Sequence, residues 1–333
     1  MRAVVVIPTW NACALLAKAL TSIETQTAPV DVVVVDNASS DGTPELLAAR
    51  FPGATVVRNE ENIGFGRAVN RGVAAAGDAD VVILVNNDAQ CAPGFVAAML
   101  APFADPAVGM VAGVLLQGSA PNLIDSAGIE LDTTLRSWDY LWNRPVSELA
   151  TAADPVGPCG GAAAYRLPVF RELGGFDEAL FAYWEDVDLA LRFREAGWHC
   201  VLAPDARALH EHGQTLGAAS PAARRLEAFG RGYVLAKYRV AAGRPLARVQ
   251  IATLDWPVLL IHLALRREVG PLRARLRARR LGLRASAHRA PPSLPRVGFA
   301  TALRRQADQL RLRFSGGLPA HFTDGARPRR ADS

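Results

Sequence analysis

The feature that most constrains this chain is the alternation of apolar runs and helical patterns over about its first 90 residues. The runs are rich in β-branched residues and uninterrupted, whereas the segments between them repeat apolar residues every three to four positions. The predicted strands are residues 3–7, 30–35, 55–57 and 81–85, and the predicted helices are one with Leu15, Leu16, Ala19, Leu20 and Ile23 on one face, one with Thr43 as its N-cap, and residues 66–76. This order predicts an α/β protein with a parallel sheet that helices cover on both faces.

Composition and the terminal segments agree with a layered cytoplasmic protein. The 333 residues are 50% apolar but only 7% aromatic, which favours an aliphatic core over a β-sandwich. The four cysteines are widely spaced, which indicates free thiols in a reducing compartment. The N-terminus lacks a signal-peptide pattern. Residues 251–265 are too short and too polar to span a bilayer, so we expect no spanning helix.

Charge divides the chain into two parts. Up to Gly213 it carries 13 Lys and Arg against 26 Asp and Glu, and beyond Gly213 it carries 24 against 6. An acidic body is suited to hold a cation, and a basic extension is suited to phosphates, lipid or nucleic acid. We predict a catalytic body at residues 1–215, divided into 1–116 and 117–215, and an Arg-rich helical extension at 216–333 that is loose from Gly316.

Polar clusters follow three of the predicted strands. They are Thr9 to Asn11, Asp36 to Asp41, and Asn86 to Asp88. Ligands of parallel sheets bind at the carboxyl ends of the strands, so these clusters indicate a binding site. The alternative is that they are ordinary turn residues. Residues 117–158, which contain several aromatic side chains, are either a substrate-facing loop or a satellite core.

Acidic and imidazole groups in the acidic body indicate a metal site. They are Asp88, Glu185, Asp186, Asp188, His210 and His212. Carboxylate oxygens suit Mg²⁺ or Mn²⁺, particularly when the ligand adds phosphate oxygens, and imidazole is compatible with Mn²⁺. The alternatives are that the helix dipole alone favours the acids of residues 185–188 and that His210 is a core histidine. A zinc site of Cys200, His210 and His212 lacks a second ligand pair.

Two nucleotide-binding motifs are absent from the sequence. Gly64-Phe65-Gly66 is not followed by the third glycine of a dinucleotide fingerprint and precedes the third helix rather than the first. No Gly-Lys-Ser/Thr of a P-loop occurs.

Six ordered motifs together resemble family 2 glycosyltransferases of the GT-A fold, and within them the rhamnosyltransferase-like branch. They cover about residues 3–215 and are Ile7 to Asn11, Val35 to Gly42, Asn62 to Asn70, Asn86-Asn87-Asp88, Gly174 to Asp177, and Glu185 to Asp188 with Arg192. The resemblance implies a Rossmann-like nucleotide-binding half fused to an acceptor half around a mostly parallel sheet. The basic extension would follow this unit.

The resemblance also assigns roles to individual residues. The nucleotide sugar would be bound by Thr9, Asn11, Asp36, Asn37, Asn62, Gly64, Asn70 and Asn87. Mg²⁺ or Mn²⁺ would be held by Asp88 and His210, with His212 as the alternate choice. The motif that ends in Asp88 reads Asn-Asn-Asp, so it lacks one carboxylate of the family's DxD pattern.

Inverting glycosyl transfer needs a base that deprotonates the acceptor hydroxyl. Asp186 matches the family's catalytic aspartate. Glu185 and Asp188 would support it by binding acceptor hydroxyls, by orienting the helix, or both. Gly160 and Gly161 match the segment below the acceptor, where small residues leave room for a sugar.

The expected activity is transfer of a sugar, with L-rhamnose from dTDP-rhamnose favoured, to a polyprenyl-diphosphate-linked or other cell-envelope glycan. The arginines and leucines of residues 272–284 suit the anionic inner face of the plasma membrane. Nucleic acid is not an expected partner.

Two other functions remain open on the sequence. A sugar nucleotidyltransferase would share the layered fold, but residues 9–11 offer no basic glycine-rich loop. A non-catalytic glycan- or membrane-binding scaffold is favoured by the incomplete Asn86-Asn87-Asp88 motif. The acids of residues 185–188 argue against a scaffold.

Overall fold

A computed structural model describes residues 1–211, 220–242, 244–265, 267–289, 294 and 296–314. His212 and the predicted loose segment from Gly316 lie outside these residues. No described helix has both the length and the apolar character needed to cross a membrane.

The first part of the chain alternates strands and helices as predicted. It runs β1 (Ala3–Thr9), α1 (Cys13–Glu24), β2 (Asp31–Asp36), α2 (Thr43–Arg50), β3 (Thr55–Arg58), α3 (Phe65–Ala74) and β4 (Val81–Val85). These strands pair in parallel in the order β3-β2-β1-β4. Val4 and Val6 pack into one buried cluster, and Val5 and Ile7 pack into another. Both faces of β1 are therefore covered, because successive side chains of a strand point to opposite faces.

The start of α2 differs from the prediction. The N-cap position is Gly42, in the left-handed conformation at φ +84°, and Thr43 is the first helical residue rather than the cap. The Asp41 carboxylate accepts hydrogen bonds from the Thr43 hydroxyl at 2.6 Å and from the Thr43 N–H at 3.3 Å. Glycine adopts the left-handed conformation at no steric cost. Gly42 can therefore end the turn after β2, and α2 begins at Thr43, one residue earlier than predicted.

The rest of the body adds strands to the same sheet and forms a second, smaller sheet. It runs β5 (Ala89–Cys91), α4 (Phe95–Leu100), β6 (Val108–Gln117), β7 (Ala120–Ser126), β8 (Ile129–Asp132), β9 (Ser137–Asp139), β10 (Ala162–Arg166), α5 (Leu167–Glu172), α6 (Glu185–Glu195) and β11 (His199–His210), with short 3-10 helices at Ala101–Ala104 and Val146–Thr151. The order continues β4-β10-β6-β11-β5, and β7 pairs with β6. The exceptions are β8 and β9, which pair antiparallel with each other in the smaller sheet. The predicted boundary after residue 116 falls inside β6.

Beyond β4 the sheet is mixed rather than purely parallel. Strand β10 is antiparallel to β4 and to β6, while β11 is parallel to β6. Ala162 lies opposite Val85, so the start of β10 meets the carboxyl end of β4. This antiparallel pairing brings Gly160 and Gly161 beside Asn86 to Asp88, although the two segments are far apart in sequence.

The basic part of the chain is helical. It forms α7 (Pro221–Lys237), α8 (Pro245–Leu265), α9 (Gly270–Arg284), β12 (Arg296–Val297) and α10 (Phe299–Phe314). The arginines and leucines of residues 272–284 lie on α9, and residues 251–265 belong to α8. Val234 of α7 shares a buried cluster with Val187 and Leu191 of α6. The helical part is thus packed against the helix that carries the predicted base.

Candidate active site

The carboxyl ends of β1, β2 and β4 open into one cavity of about 1150 Å³. The predicted site residues that line it are Thr9, Asn37, Asn62, Gly64, Asn87, Asp88, Gly160, Gly161, Glu185, Asp186 and His210. Asn11, Asp36, Asn70 and Asp188 are not among the described residues that line it. Five of the six motifs thus contribute lining residues to one cavity, and four of the predicted site residues lie outside its lining.

On one side of the cavity, asparagine side chains are held by hydrogen bonds. Asn59 donates to the side-chain oxygen of Asn37 at 2.7 Å, and the Arg71 guanidinium donates to Asn59. Asn37 in turn donates to the Gly64 carbonyl at 3.3 Å. On the neighbouring strand end, Asn87 donates to the Thr9 hydroxyl at 3.0 Å. These bonds hold the polar groups of the wall in fixed orientations.

Gly64 is required at its position for two reasons. Its φ of +89° lies in the region that favours glycine, and a Cβ there would lie 2.4 Å from the Phe181 carbonyl oxygen. The Asn62 side chain accepts from the Gly64 N–H at 3.0 Å. The Asn62–Gly64 segment therefore presents its backbone directly to the cavity.

Three of the predicted nucleotide-binding residues instead support the wall from behind. Asn11 accepts from the Ser40 N–H at 2.8 Å, which ties the ends of β1 and β2 together. Asn70 both donates to and accepts from the backbone of Phe176, each at 2.9 Å. Asp36 is 1% exposed, and among the described residues its Oδ2 has no hydrogen-bond partner.

A buried histidine joins two carboxylates at the far end of β4. His210 Nε2 lies 3.1 Å from Asp88 Oδ1, and His210 Nδ1 lies 2.6 Å from Asp125 Oδ2. Burial by itself would lower the pKa of His210, but its hydrogen bonds to Asp125 and Asp88 and their charges raise it to about 10. These contacts hold the His210 ring between Asp88 and Asp125 at the cavity wall.

The same arrangement fits a divalent cation. A ligating histidine ordinarily donates its second ring N–H to a carboxylate, and Asp125 occupies that place beside His210. Within the described ranges no group of three His, Cys, Asp or Glu side chains is arranged to hold an ion. The chain would thus supply two ligands, Asp88 and His210, and phosphate oxygens of a substrate would supply others.

The predicted base sits at the start of α6. Tyr183 and Trp184 both have positive φ, +66° and +76°, which turns the chain sharply into the helix. Asp186 Oδ2 accepts from the Gly160 N–H at 3.3 Å, and its Oδ1 accepts from the Val187 N–H at 2.8 Å. Burial raises the pKa of Asp186 despite these two hydrogen bonds. A carboxylate with a raised pKa is a stronger base.

Glu185 is the neighbour of this base and is more deeply buried. It is 6% exposed, and its Oε2 has no hydrogen-bond partner within the part of the chain that the structure describes. Burial, followed by the nearby charge of Asp186, raises the pKa of Glu185 well above its usual value. The cavity therefore contains two adjacent carboxyl groups that both resist ionisation.

Asp188 lies in the protein interior. It is 0% exposed and pairs with Arg192 at 2.9 Å and with Lys237 of α7 at 2.7 Å. Tyr238 also donates to it, at 3.2 Å. Of the two roles open to Asp188, this position favours orienting α6 over binding an acceptor hydroxyl.

Small and aromatic residues shape the acceptor side. A Cβ on Gly161 would lie 2.9 Å from Leu115 and 3.0 Å from Asn86. Trp138, Tyr140 and Trp142 line the cavity, as a substrate-facing segment would. Trp138 is also 7% exposed and forms part of a small buried cluster. Residues 117–158 therefore show features of both predicted roles, the substrate-facing loop and the satellite core.

Sequence reasoning missed several residues at this site. Nothing in the sequence marked Asp125 as a site residue, because a single acid at the end of a strand is ordinary. Four charged residues of the cavity wall, Arg136, Arg231, Asp255 and Arg275, were also missed. From the sequence, Arg275 is assigned with the other arginines of α9 to the surface that contacts the membrane. In the structure its side chain instead lines the cavity and pairs with Asp255.

Comparison with known proteins gives a consistent result. A family model described as glycosyl transferase family 2 matches residues 4–174. An N-acetylglucosaminyl-diphospho-decaprenol L-rhamnosyltransferase of Mycobacterium tuberculosis is 34% identical over 213 residues, which are 57% of this chain and 69% of the relative. The O-antigen chain rhamnosyltransferase RfbN of Salmonella typhimurium is 29% identical over 221 residues, which are 65% of this chain and 68% of that protein.

A solved structure shows the same fold. The mannosyltransferase PcManGT of Pyrobaculum calidifontis, in complex with GDP-Man and Mn²⁺, superposes with a TM-score of 0.54 at 22% identity. The match covers 97% of this chain and 85% of that protein. The predicted GT-A architecture is thereby confirmed.

Proposed function

The chain belongs to glycosyl transferase family 2, and on that premise we propose that it transfers a sugar with inversion from a nucleoside-diphosphate donor to a lipid-linked glycan. Membership of this family makes it a glycosyltransferase and removes the basis for the nucleotidyltransferase and scaffold alternatives. L-Rhamnose from dTDP-rhamnose is the donor that we favour, because both relatives named above are rhamnosyltransferases.

The observation that carries the proposal is the place of Asp186. It lies in the wall of the cavity that also contains the strand ends, and burial raises its pKa. In the proposed reaction Asp186 accepts the proton of the acceptor hydroxyl while that oxygen attacks the anomeric carbon. The bond from the anomeric carbon to the diphosphate breaks, so the configuration inverts and the nucleoside diphosphate leaves.

The donor would lie between the two sides of the cavity. Asn37, the Asn62–Gly64 backbone and Thr9 would bind the nucleoside, and Asp88 and His210 would lie on the diphosphate side. A divalent cation held by Asp88 and His210 would neutralise charge on the departing diphosphate. Glu185 and the small residues Gly160 and Gly161 would face the acceptor.

We further propose that the protein works at the surface of the membrane that carries its acceptor, on the cytoplasmic side. Helix α8 exposes an apolar stripe at intervals of three, seven, four and three residues, which keep to one face of the helix: Leu246, Val249, Trp256, Leu260 and Leu263. Arginines of the adjoining α9, among them Arg273, Arg277 and Arg280, are exposed. Apolar side chains flanked by arginines suit an anionic lipid surface.

The test is the release of nucleoside diphosphate from a panel of nucleotide sugars, with and without Mn²⁺ or Mg²⁺, in the presence of membrane lipid extract. We expect release from one donor and a loss of about 10²- to 10⁴-fold in kcat for Asp186→Asn. Donor binding should be retained, because the amide keeps the shape of the side chain.

The matched control is Asp205→Asn. It makes the same chemical change at a carboxylate that is 88% exposed and outside the cavity, so turnover should not change. Full turnover by Asp186→Asn would exclude that residue as the base. Silence of the folded protein across the whole panel would contradict the proposed donor class.

A further inference from the structure

Three arginines converge on one aspartate in the cavity wall. Asp255 of α8 is 3% exposed and pairs with Arg136 at 2.8 Å, with Arg231 at 3.0 Å, and with Arg275. Arg231 comes from α7 and Arg275 from α9, while Arg136 lies in the turn between β8 and β9. All four side chains line the cavity.

The positive charge of this cluster exceeds its negative charge. Asp132 is a second carboxylate that acts electrostatically on Arg136. Its Oδ1 accepts from Thr134 and from the Arg136 N–H. Burial, together with repulsion from Arg231, lowers the pKa of Arg136 and Arg275 although Asp255 opposes the shift. Buried charges that are not fully compensated attract an anion.

Two of the three arginines have side-chain nitrogens that are available to donate hydrogen bonds to a ligand. Each of the three side-chain nitrogens of Arg231 already donates to Asp255 or Thr134. By contrast, among the described residues Nε and Nη2 of Arg136, and Nε and Nη1 of Arg275, donate to no group. These side chains are 17% and 16% exposed, so they are reachable from the cavity.

The cluster is built by different elements from those of the donor side. Asp88 and His210 lie at the ends of β4 and β11, whereas Asp255, Arg231 and Arg275 belong to helices beyond the residues that the family model matches. Helix α8 also connects the cavity to the exterior. Its Leu259 lines the cavity, and its Leu260 belongs to the exposed apolar stripe.

We propose that Arg136 and Arg275 bind the diphosphate of the lipid-linked acceptor, at a site separate from that of the donor diphosphate. Planar guanidinium groups bind phosphate oxygens in pairs, and contacts with the same Asp255 carboxylate hold these two groups at one place in the cavity wall. The lipid chain would leave along α8. This inference rests on the proposed function, because it assigns the acceptor class to the same cavity.

The experiment measures binding of geranyl diphosphate to the full chain by calorimetry, after saturation with dTDP, the nucleoside diphosphate of the favoured donor. We expect Arg275→Gln and Arg136→Gln to weaken binding at least about tenfold, the loss typical of a charge-assisted hydrogen bond. The matched control is Arg225→Gln, which removes the same charge from an exposed position on α7 and should leave affinity within about twofold. In turnover assays the KM for the acceptor should rise and the KM for the donor should not.

Three results would overturn the inference. They are equal affinity in all four proteins, equal weakening in Arg225→Gln, and loss of geranyl diphosphate binding once the nucleoside diphosphate is present. The last result would mean that both diphosphates use one site. If Arg275→Gln does not fold, the affinity of Arg136→Gln decides, because Arg136 lies in a turn and not in a packed helix. Binding requires no turnover, so its outcome is independent of the Asp186→Asn test.

Discussion

Glu185 shows how a single residue of the site lowers stability. A carboxyl group whose pKa is higher in the folded than in the unfolded protein costs stability above its unfolded pKa and costs nothing below it. Glu185 is such a group, because burial and Asp186 raise its pKa. We therefore expect Glu185→Gln to increase the free energy of unfolding at pH 7.5 by about 1–3 kcal/mol. Near pH 4 the increase should vanish, because the carboxyl is then protonated in both states.

Urea denaturation at the two pH values measures this effect. Glu24→Gln is the control, because Glu24 is an exposed residue of α1 and its replacement should change stability little at either pH. A gain from Glu185→Gln that is as large at pH 4 as at pH 7.5 would show that the ionisation of Glu185 is not its source.

Helix α6 is the element whose placement decides where Asp186 lies. Arg192, one helical turn beyond Asp188, donates to the carbonyls of Leu173 at 2.7 Å and Gly175 at 2.6 Å. It also pairs with Asp188 at 2.9 Å, so it joins α6 to the loop that follows α5. Loss of Arg192 would leave Asp188 with Lys237 as its one remaining charged partner among the described residues and would remove the donors to both carbonyls.

Replacement of Arg192 tests this anchoring. We expect Arg192→Ala to lower the free energy of unfolding by about 3–5 kcal/mol in urea denaturation. Arg207→Ala is the control, because that arginine forms an exposed pair at 3.8 Å with Asp205, and we expect a change within about 0.5 kcal/mol. Similar losses in both variants would mean that Arg192 is no stronger an anchor than a surface residue.

At the scale of the whole molecule, charge and apolar surface coincide in the C-terminal helices. Of the 37 Lys and Arg residues, 24 lie beyond Gly213, and the exposed stripe of α8 lies in the same part. We expect the protein to sediment with anionic vesicles at low salt, and less so as salt screens the charges. Trp256→Ser with Leu260→Ser should weaken this binding at least about tenfold, because each apolar side chain buried contributes about 1.5–3 kcal/mol.

Val56→Ser is the control for vesicle binding. It removes an apolar side chain of similar exposure from β3, outside the basic helices. Equal binding by the α8 variant and the native protein would exclude α8 as the membrane-contacting surface. Equal binding to neutral and anionic vesicles would exclude the arginines as its source.

The sequence by itself determined the parallel strands and the edge of the sheet at which ligands bind. Runs such as residues 3–7 and 81–85 have no polar residue to face water, so they form strands buried on both faces. Such strands place polar residues that follow them at a common edge. Local pattern therefore predicts that Thr9 and Asp88 lie at this edge, whereas Asp186 is singled out as the base by its match to the family's catalytic aspartate.

Only the tertiary structure decided which residues face the cavity and which support it. Asn70 and Asp188 belong to the motifs, yet their polar groups are used by the Phe176 backbone and by Arg192 and Lys237. The pairing of His210 with Asp125, and that of Arg136 with Asp255, join segments 85 and 119 residues apart. The reason is physical: spacing along the chain fixes which face of an element a residue occupies, but the packing of distant elements fixes its partner.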